Sequence, residues 1–134
     1  MNLINELNAY QYVLKILKEK EGFIWWNVIG INNDEHGNPR YHIIRSENEN
    51  IFIKFSREPY KSGKSGGFKE SINLEGGIRE CFKRNVKRLF WIYPNGSIYW
   101  IEILNFMELA ETRITNNENK KVYTINLSQL KRYK

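Results

Sequence analysis

Leu3, Ile4, Leu7, Tyr10, Leu14 and Leu17 recur at intervals of three and four residues, which places them on one face of a helix. Asn2 can cap its start, Glu6 falls in an early turn, and Lys15, Lys18 and Lys20 crowd its end, a polarity that suits the helix dipole. Gly22 is its natural stop. The pattern then changes period. Residues 23–31 are aromatic, β-branched and nearly continuous, and residues 41–45 and 51–55 repeat that composition across turn clusters at 32–39 and 48–50. Three strands joined by short turns predict an antiparallel meander.

Residues 59–67, rich in Gly and Ser, read as a basic loop. A helix is expected from about Leu74 to Asn85, with Ile78, Cys81 and Phe82 inward and Arg79, Lys83 and Lys87 at four-residue spacing on another face. Residues 89–93 and 98–103 flank Pro94-Asn95-Gly96-Ser97, the strongest local signal in the chain, which predicts a β-hairpin with an Asn-Gly turn. A short helix at 106–111 and a last strand at 122–127 complete the pattern, followed by the tail Lys131 to Lys134. The expected fold is a single α+β domain over residues 1–134, with a mixed, mainly antiparallel sheet and flanking helices.

Composition narrows the function classes. Of 134 residues 41% are hydrophobic and 14% aromatic, which supports a packed core rather than disorder. No apolar run approaches the roughly 20 residues of a membrane span, and the N-terminal residues lack the regions of a signal peptide. With Cys81 the only cysteine, no intramolecular disulfide can form, and a cytoplasmic location is expected. One Cys and two His argue against structural zinc.

Charge changes the picture more. The formal net charge is +6, and residues 57–88 hold nearly all of the excess. Arg57, Lys61, Lys64, Lys69, Arg79, Lys83, Arg84, Lys87 and Arg88 stand there against Glu58, Glu70, Glu75 and Glu80. Such local basicity points to a polyanionic partner, with nucleic acid, DNA above all, the leading expectation. Lys61 and Lys64 lie in the Gly-rich loop, where they could close over a phosphate backbone.

Nucleophile and nucleotide motifs fail on inspection. Gly63-Lys64-Ser65 resembles the end of a P-loop, but Glu58 occupies the position of its first glycine. There is no Gly-x-Ser-x-Gly. Cys81 sits among apolar neighbours and reads as a core thiol, His42 as a structural residue within a strand, and His36 as part of a solvated turn. Trp25 and Trp26 must face opposite sides of their strand, and Trp91 and Trp100 are expected to pair across the hairpin.

The order helix, three meandering strands, helix, strand resembles the core of the PD-(D/E)XK nuclease superfamily, the small archaeal Holliday junction resolvases in particular. The resemblance spans about residues 3 to 104, by pattern rather than identity. In that family the third strand ends in an acid-x-Lys element, followed by a loop and a basic helix. Here Ile51-Phe52-Ile53-Lys54 is followed by the 59–67 loop and the basic helix. The resemblance implies Lys54 as a catalytic residue beside carboxylates that hold Mg²⁺ or Mn²⁺ and activate a water. The pattern departs where those acids belong. Phe52 stands at one position, Arg40 and Tyr41 near the other. Displaced carboxylates would have to come from Asp34, Glu49 or Glu6, with Asp34 and Glu49 as metal ligands. The expectation is therefore a nucleic-acid-binding protein on a nuclease-like scaffold, either a metal-dependent endonuclease or an inactive relative. The alternative is an interaction or homo-oligomerisation module that pairs through exposed sheet edges, a homodimer in its simplest form.

Overall fold

A computed structural model describes residues 4–5, 8–33, 39–57, 60–61, 68–73, 77–114 and 120–134. The first helix, α1 (Ala9–Glu21), buries Val13, Leu14, Ile16 and Leu17 and ends at Gly22, whose φ of 74° only glycine adopts readily. It starts later than periodicity predicts. The Asn5 and Asn8 side chains each accept the other's backbone N–H, at 3.1 and 2.9 Å, closing a turn that competes with helix. Asn2 and Glu6, assigned to its start, lie outside the described residues.

The meander forms as expected. β1 (Trp26–Asn33), β2 (Pro39–Ser46) and β3 (Asn50–Phe55) are successive antiparallel neighbours. Two short strands follow, β4 (Tyr60–Lys61) and β5 (Phe68–Asn73), then α2 (Arg79–Lys83), which is shorter than the spacing suggests and is preceded by a wider turn at Gly77 and Ile78. A Cβ on Gly77 would lie 2.4 Å from Ile72 Cγ2, so only glycine lets this turn approach β5. β6 (Val86–Ile92) returns parallel to β3, and β7 (Ile98–Glu102) completes the hairpin through a turn with Gly96 at φ 88°. The chain ends with α3 (Ile103–Leu109), β8 (Glu111–Ile114), β9 (Lys121–Asn126), a single 3₁₀ turn and β10 (Lys131–Arg132).

Two sheets result. The first runs β1-β2-β3-β6-β7-β10, antiparallel except at β3/β6, and the second runs β4-β5-β9-β8. The fold is α+β with mixed, mostly antiparallel pairing. The central strands are buried on both faces, so their residues sort by parity. Ile51, Ile53, Phe90 and Ile92 pack under α1. Phe52, Leu89 and Trp91 join Ile78 and Cys81 near α2, Ile103 and Phe106 of α3, and Ile72 and Ile125 of the second sheet. Alternating residues of one strand thus fill two separate cores. The hairpin register sets Trp91 against Tyr99 and Phe90 against Trp100. The expected Trp91–Trp100 pair does not form, because the turn length places the two residues on opposite faces.

Candidate nucleic-acid interface and two polar clusters

Lys54 follows Phe52 on the same face of β3, so it points towards the second sheet, where its ammonium donates to the Ser71 carbonyl at 2.6 Å. Beside it lies Glu70, 3% exposed. Its carboxylate accepts hydrogen bonds from Ser56 Oγ at 2.8 Å and from the Tyr93 hydroxyl. Burial pushes the Glu70 carboxyl above its usual range, although those two bonds and the Lys54 charge pull the other way. Burial and the adjacent carboxylate in turn raise the Tyr93 phenol. An acid with a raised native pKa stabilises the fold most below its unfolded value of about 4.5, and that contribution is lost as pH rises through the native value. Glu70→Gln should therefore flatten the fall in stability between mildly acid and neutral pH. Urea unfolding across that range checks this, and parallel curves for the two proteins would refute it.

Of the positions where the nuclease pattern has acids, Phe52 occupies one, and Arg40 and Tyr41 stand near the other. The Tyr41 and Phe52 rings pack inside the core at 4.9 Å between centroids, tilted by 31° to each other. Neither side chain is a carboxylate ligand for Mg²⁺ or Mn²⁺, so the implied metal does not fit there. Glu49 does not compensate. It stands just before β3, five residues from Lys54, about 16 Å away along an extended strand. Its carboxylate accepts from Arg88 instead. Lys54 and Glu49 are thus not brought together, because the length of β3 lies between them. Asp34 and Glu6 lie outside the described residues. Among the described residues no three His, Cys, Asp or Glu side chains gather as a metal group.

Arg88 anchors the second cluster. Its guanidinium forks onto both Glu21 oxygens at 3.0 Å and reaches Glu49, over the rings of Phe90 and Trp100. The Tyr133 hydroxyl adds a bond to Glu21. Burial opposes charge on Arg88, but its hydrogen bonds to Glu49 and Glu21 outweigh that and raise its pKa further. Burial likewise pushes Glu21 up, while its bonds to Arg88 and Tyr133 bring it below the usual carboxylate range. Arg88 is therefore a fixed internal cation rather than part of a basic surface.

The remaining basic residues divide. Arg79 and Lys83 are exposed one turn apart on α2, and Lys87 is exposed at the start of β6. Arg57 is exposed just after β3. Lys69 pairs with Glu111 at 3.7 Å and Arg84 with Glu80 at 3.2 Å. Lys64 lies outside the described residues, and only the backbone of Lys61, in β4, is within them. Cys81 is fully buried, and burial with the Glu80 charge pushes its thiol up to about 12, which fits the expected packed core thiol. His42 is buried and stacked on Tyr10 at 4.2 Å, and burial lowers its pKa, as suits a neutral structural residue.

Next to Lys87 a cleft of about 720 Å³ opens at the end of the first sheet, where β6 begins and β7 ends. Phe82 at the end of α2 and Leu104 in α3 line it and are 46% and 67% exposed. Asn48, Asn85 and Glu102 contribute polar groups. Asn85 holds a φ of 53°, a left-handed conformation that Asn tolerates better than most residues, and Asn50 Nδ2 secures the preceding turn on the Arg84 carbonyl at 2.6 Å. Neither the cleft nor the Arg88 and Glu70 clusters is legible in the sequence, since each joins residues from distant segments.

No family model, curated protein or solved structure matches the chain. Among the described residues, no helix is long and apolar enough to cross a membrane.

Proposed function

We propose that the chain binds nucleic acid, DNA first, through the strip formed by α2 and the start of β6. The observation that carries this reading is that Arg79 and Lys83 on α2 and Lys87 at the start of β6 are exposed, with Lys87 lining an open cleft of ligand size. A helix, three antiparallel strands and, after the inserted β4 and β5, a second helix and a strand parallel to β3 favour a nuclease-like scaffold. The Tyr41–Phe52 ring pair at and near the acid positions favours a relative that holds nucleic acid without cutting it. Fluorescence anisotropy with labelled DNA and RNA at low salt tests binding, and incubation of supercoiled and branched DNA with Mg²⁺, Mn²⁺ or chelator tests cleavage. The expected result is binding without metal-dependent cleavage. Absence of binding to every nucleic acid at low salt would end this reading, and metal-dependent cleavage would return the protein to the active nucleases.

A second reading rests on β1, an edge of the first sheet. No residue from Gly22 to Asn33 is charged, and Val28 and Ile31 are exposed. Glu47 clamps the backbone N–H groups of Ile24 and Trp25 at 2.7 and 2.9 Å, leaving both side chains outside. Edges in monomers are commonly guarded by charge, and this one is not. A second copy could add its own β1 antiparallel without meeting like charges. Light scattering on the purified protein should then report a dimer that Val28→Lys with Ile31→Lys converts to monomer. A wild-type monomer at high concentration would dismiss this reading.

A further inference from the structure

We propose that the cleft beside Lys87 receives an unpaired nucleobase, so that the protein prefers single-stranded or locally opened nucleic acid over a closed duplex. The inference rests on the nucleic-acid reading and names the part of the ligand that enters. Four charged residues line the cleft, Lys87 and Arg88 against Glu49 and Glu102, and Arg88 is already held by Glu49 and Glu21. The interior is thus balanced in charge and suits a neutral group rather than a phosphate. Exposed lysines that can meet a backbone stand at its edge and just outside it: Lys87, which lines the cleft, and Lys83, next to Phe82 in the chain. Beside Val86, Trp100 and Ile103, the apolar lining includes Phe82 and Leu104, which belong to different helices and are exposed although the core is within reach of both elements. An exposed aromatic ring beside lysines is the arrangement on which bases stack while their phosphates are held. Asn48, Asn85 and Glu102 supply amide and carboxylate groups able to bond the edge of a base, and a carboxylate can accept from an exocyclic amine. A volume of about 720 Å³ admits a flat ring with its sugar. A base paired within a duplex could not reach these groups without leaving its stack.

The test compares three labelled ligands with matched phosphate numbers: a single strand, the same strand with abasic sites, and a blunt duplex of half its length. Anisotropy titrations should rank the intact single strand about ten-fold tighter than the abasic strand, since stacking on one aromatic side chain is worth about five-fold to a hundred-fold. Phe82→Ala should weaken the intact strand by about ten-fold and leave the abasic strand unchanged. Leu104→Ser, a second exposed position, should act in the same direction. Equal affinity for intact and abasic strands, or for duplex and single strand, would overturn the base-binding inference while leaving phosphate binding in place. Failure of all three ligands to bind would instead overturn the nucleic-acid reading itself.

Discussion

Phe52→Asp is expected to unfold the protein rather than equip it for catalysis. The substitution places an acid two residues before Lys54, as the nuclease pattern has it. Phe52, however, is fully buried at the centre of the first sheet and packs against Tyr41. Removing a buried phenylalanine costs about 3–5 kcal/mol by itself. Burying a carboxylate without partners costs more, and it would either stay protonated or drag water into the core. Domains of this size are stable by only about 5–15 kcal/mol. Circular dichroism and urea unfolding should show Phe52→Asp unfolded, with Phe52→Leu, which keeps the site apolar, folded and moderately destabilised. A folded Phe52→Asp variant that cleaves DNA with Mg²⁺ would mean that the ring pair merely occupies a dormant metal site.

Arg88→Ala carries the second large effect. The guanidinium ties the end of α1, through Glu21, to the entry of β3, through Glu49, and both to β6. The Arg88 and Glu49 side chains are 11% and 13% exposed. Breaking such a pair by removing one member leaves a buried charge unmatched, at a cost of about 3–5 kcal/mol. The figure belongs at the lower end, because Glu21 is a third exposed and water can take part of its charge. Arg88→Lys should restore only part of the loss, since an ammonium lacks the planar fork that meets both Glu21 oxygens while reaching Glu49. Replacing Arg88 and Glu49 together by apolar residues should cost less than Arg88→Ala alone. Midpoints of urea unfolding decide the matter, and an unchanged midpoint for Arg88→Ala would show that the cluster contributes nothing net.

The strands of the meander and the hairpin were legible because local composition and turn chemistry agree with the final pairing. Asn95-Gly96 forms the turn it announces, and Ser97 N–H closes it on Asn95 Oδ1 at 2.9 Å. Of the second sheet, β9 was legible as the strand expected at 122–127, and its neighbours were not. β5, Phe-Lys-Glu-Ser-Ile-Asn, is mostly polar, and β8 is exposed throughout, so neither shows an apolar run. Their strand character comes from pairing with β9, a tertiary contact. The same limit applied to the candidate site. Net charge located the basic segment, but Arg88 and Lys69 had acidic partners supplied by elements distant in sequence. Glu70, counted only as a charge, proved to be the carboxylate beside Lys54 because β5 folds against the end of β3.

The central claim, that nucleic acid is held by the α2–β6 strip, is tested most directly by the dependence of DNA affinity on salt in the wild type and in Lys83→Ala with Lys87→Ala. Each lost phosphate contact removes about 0.9 from the slope of log affinity against log salt for duplex, or about 0.7 for single strands. The account predicts tight binding at low salt, a steep decline as salt rises, and a slope shallower by about 1.4 to 1.8 in the folded double variant. An identical slope in the two proteins would place the phosphates elsewhere and contradict the assignment.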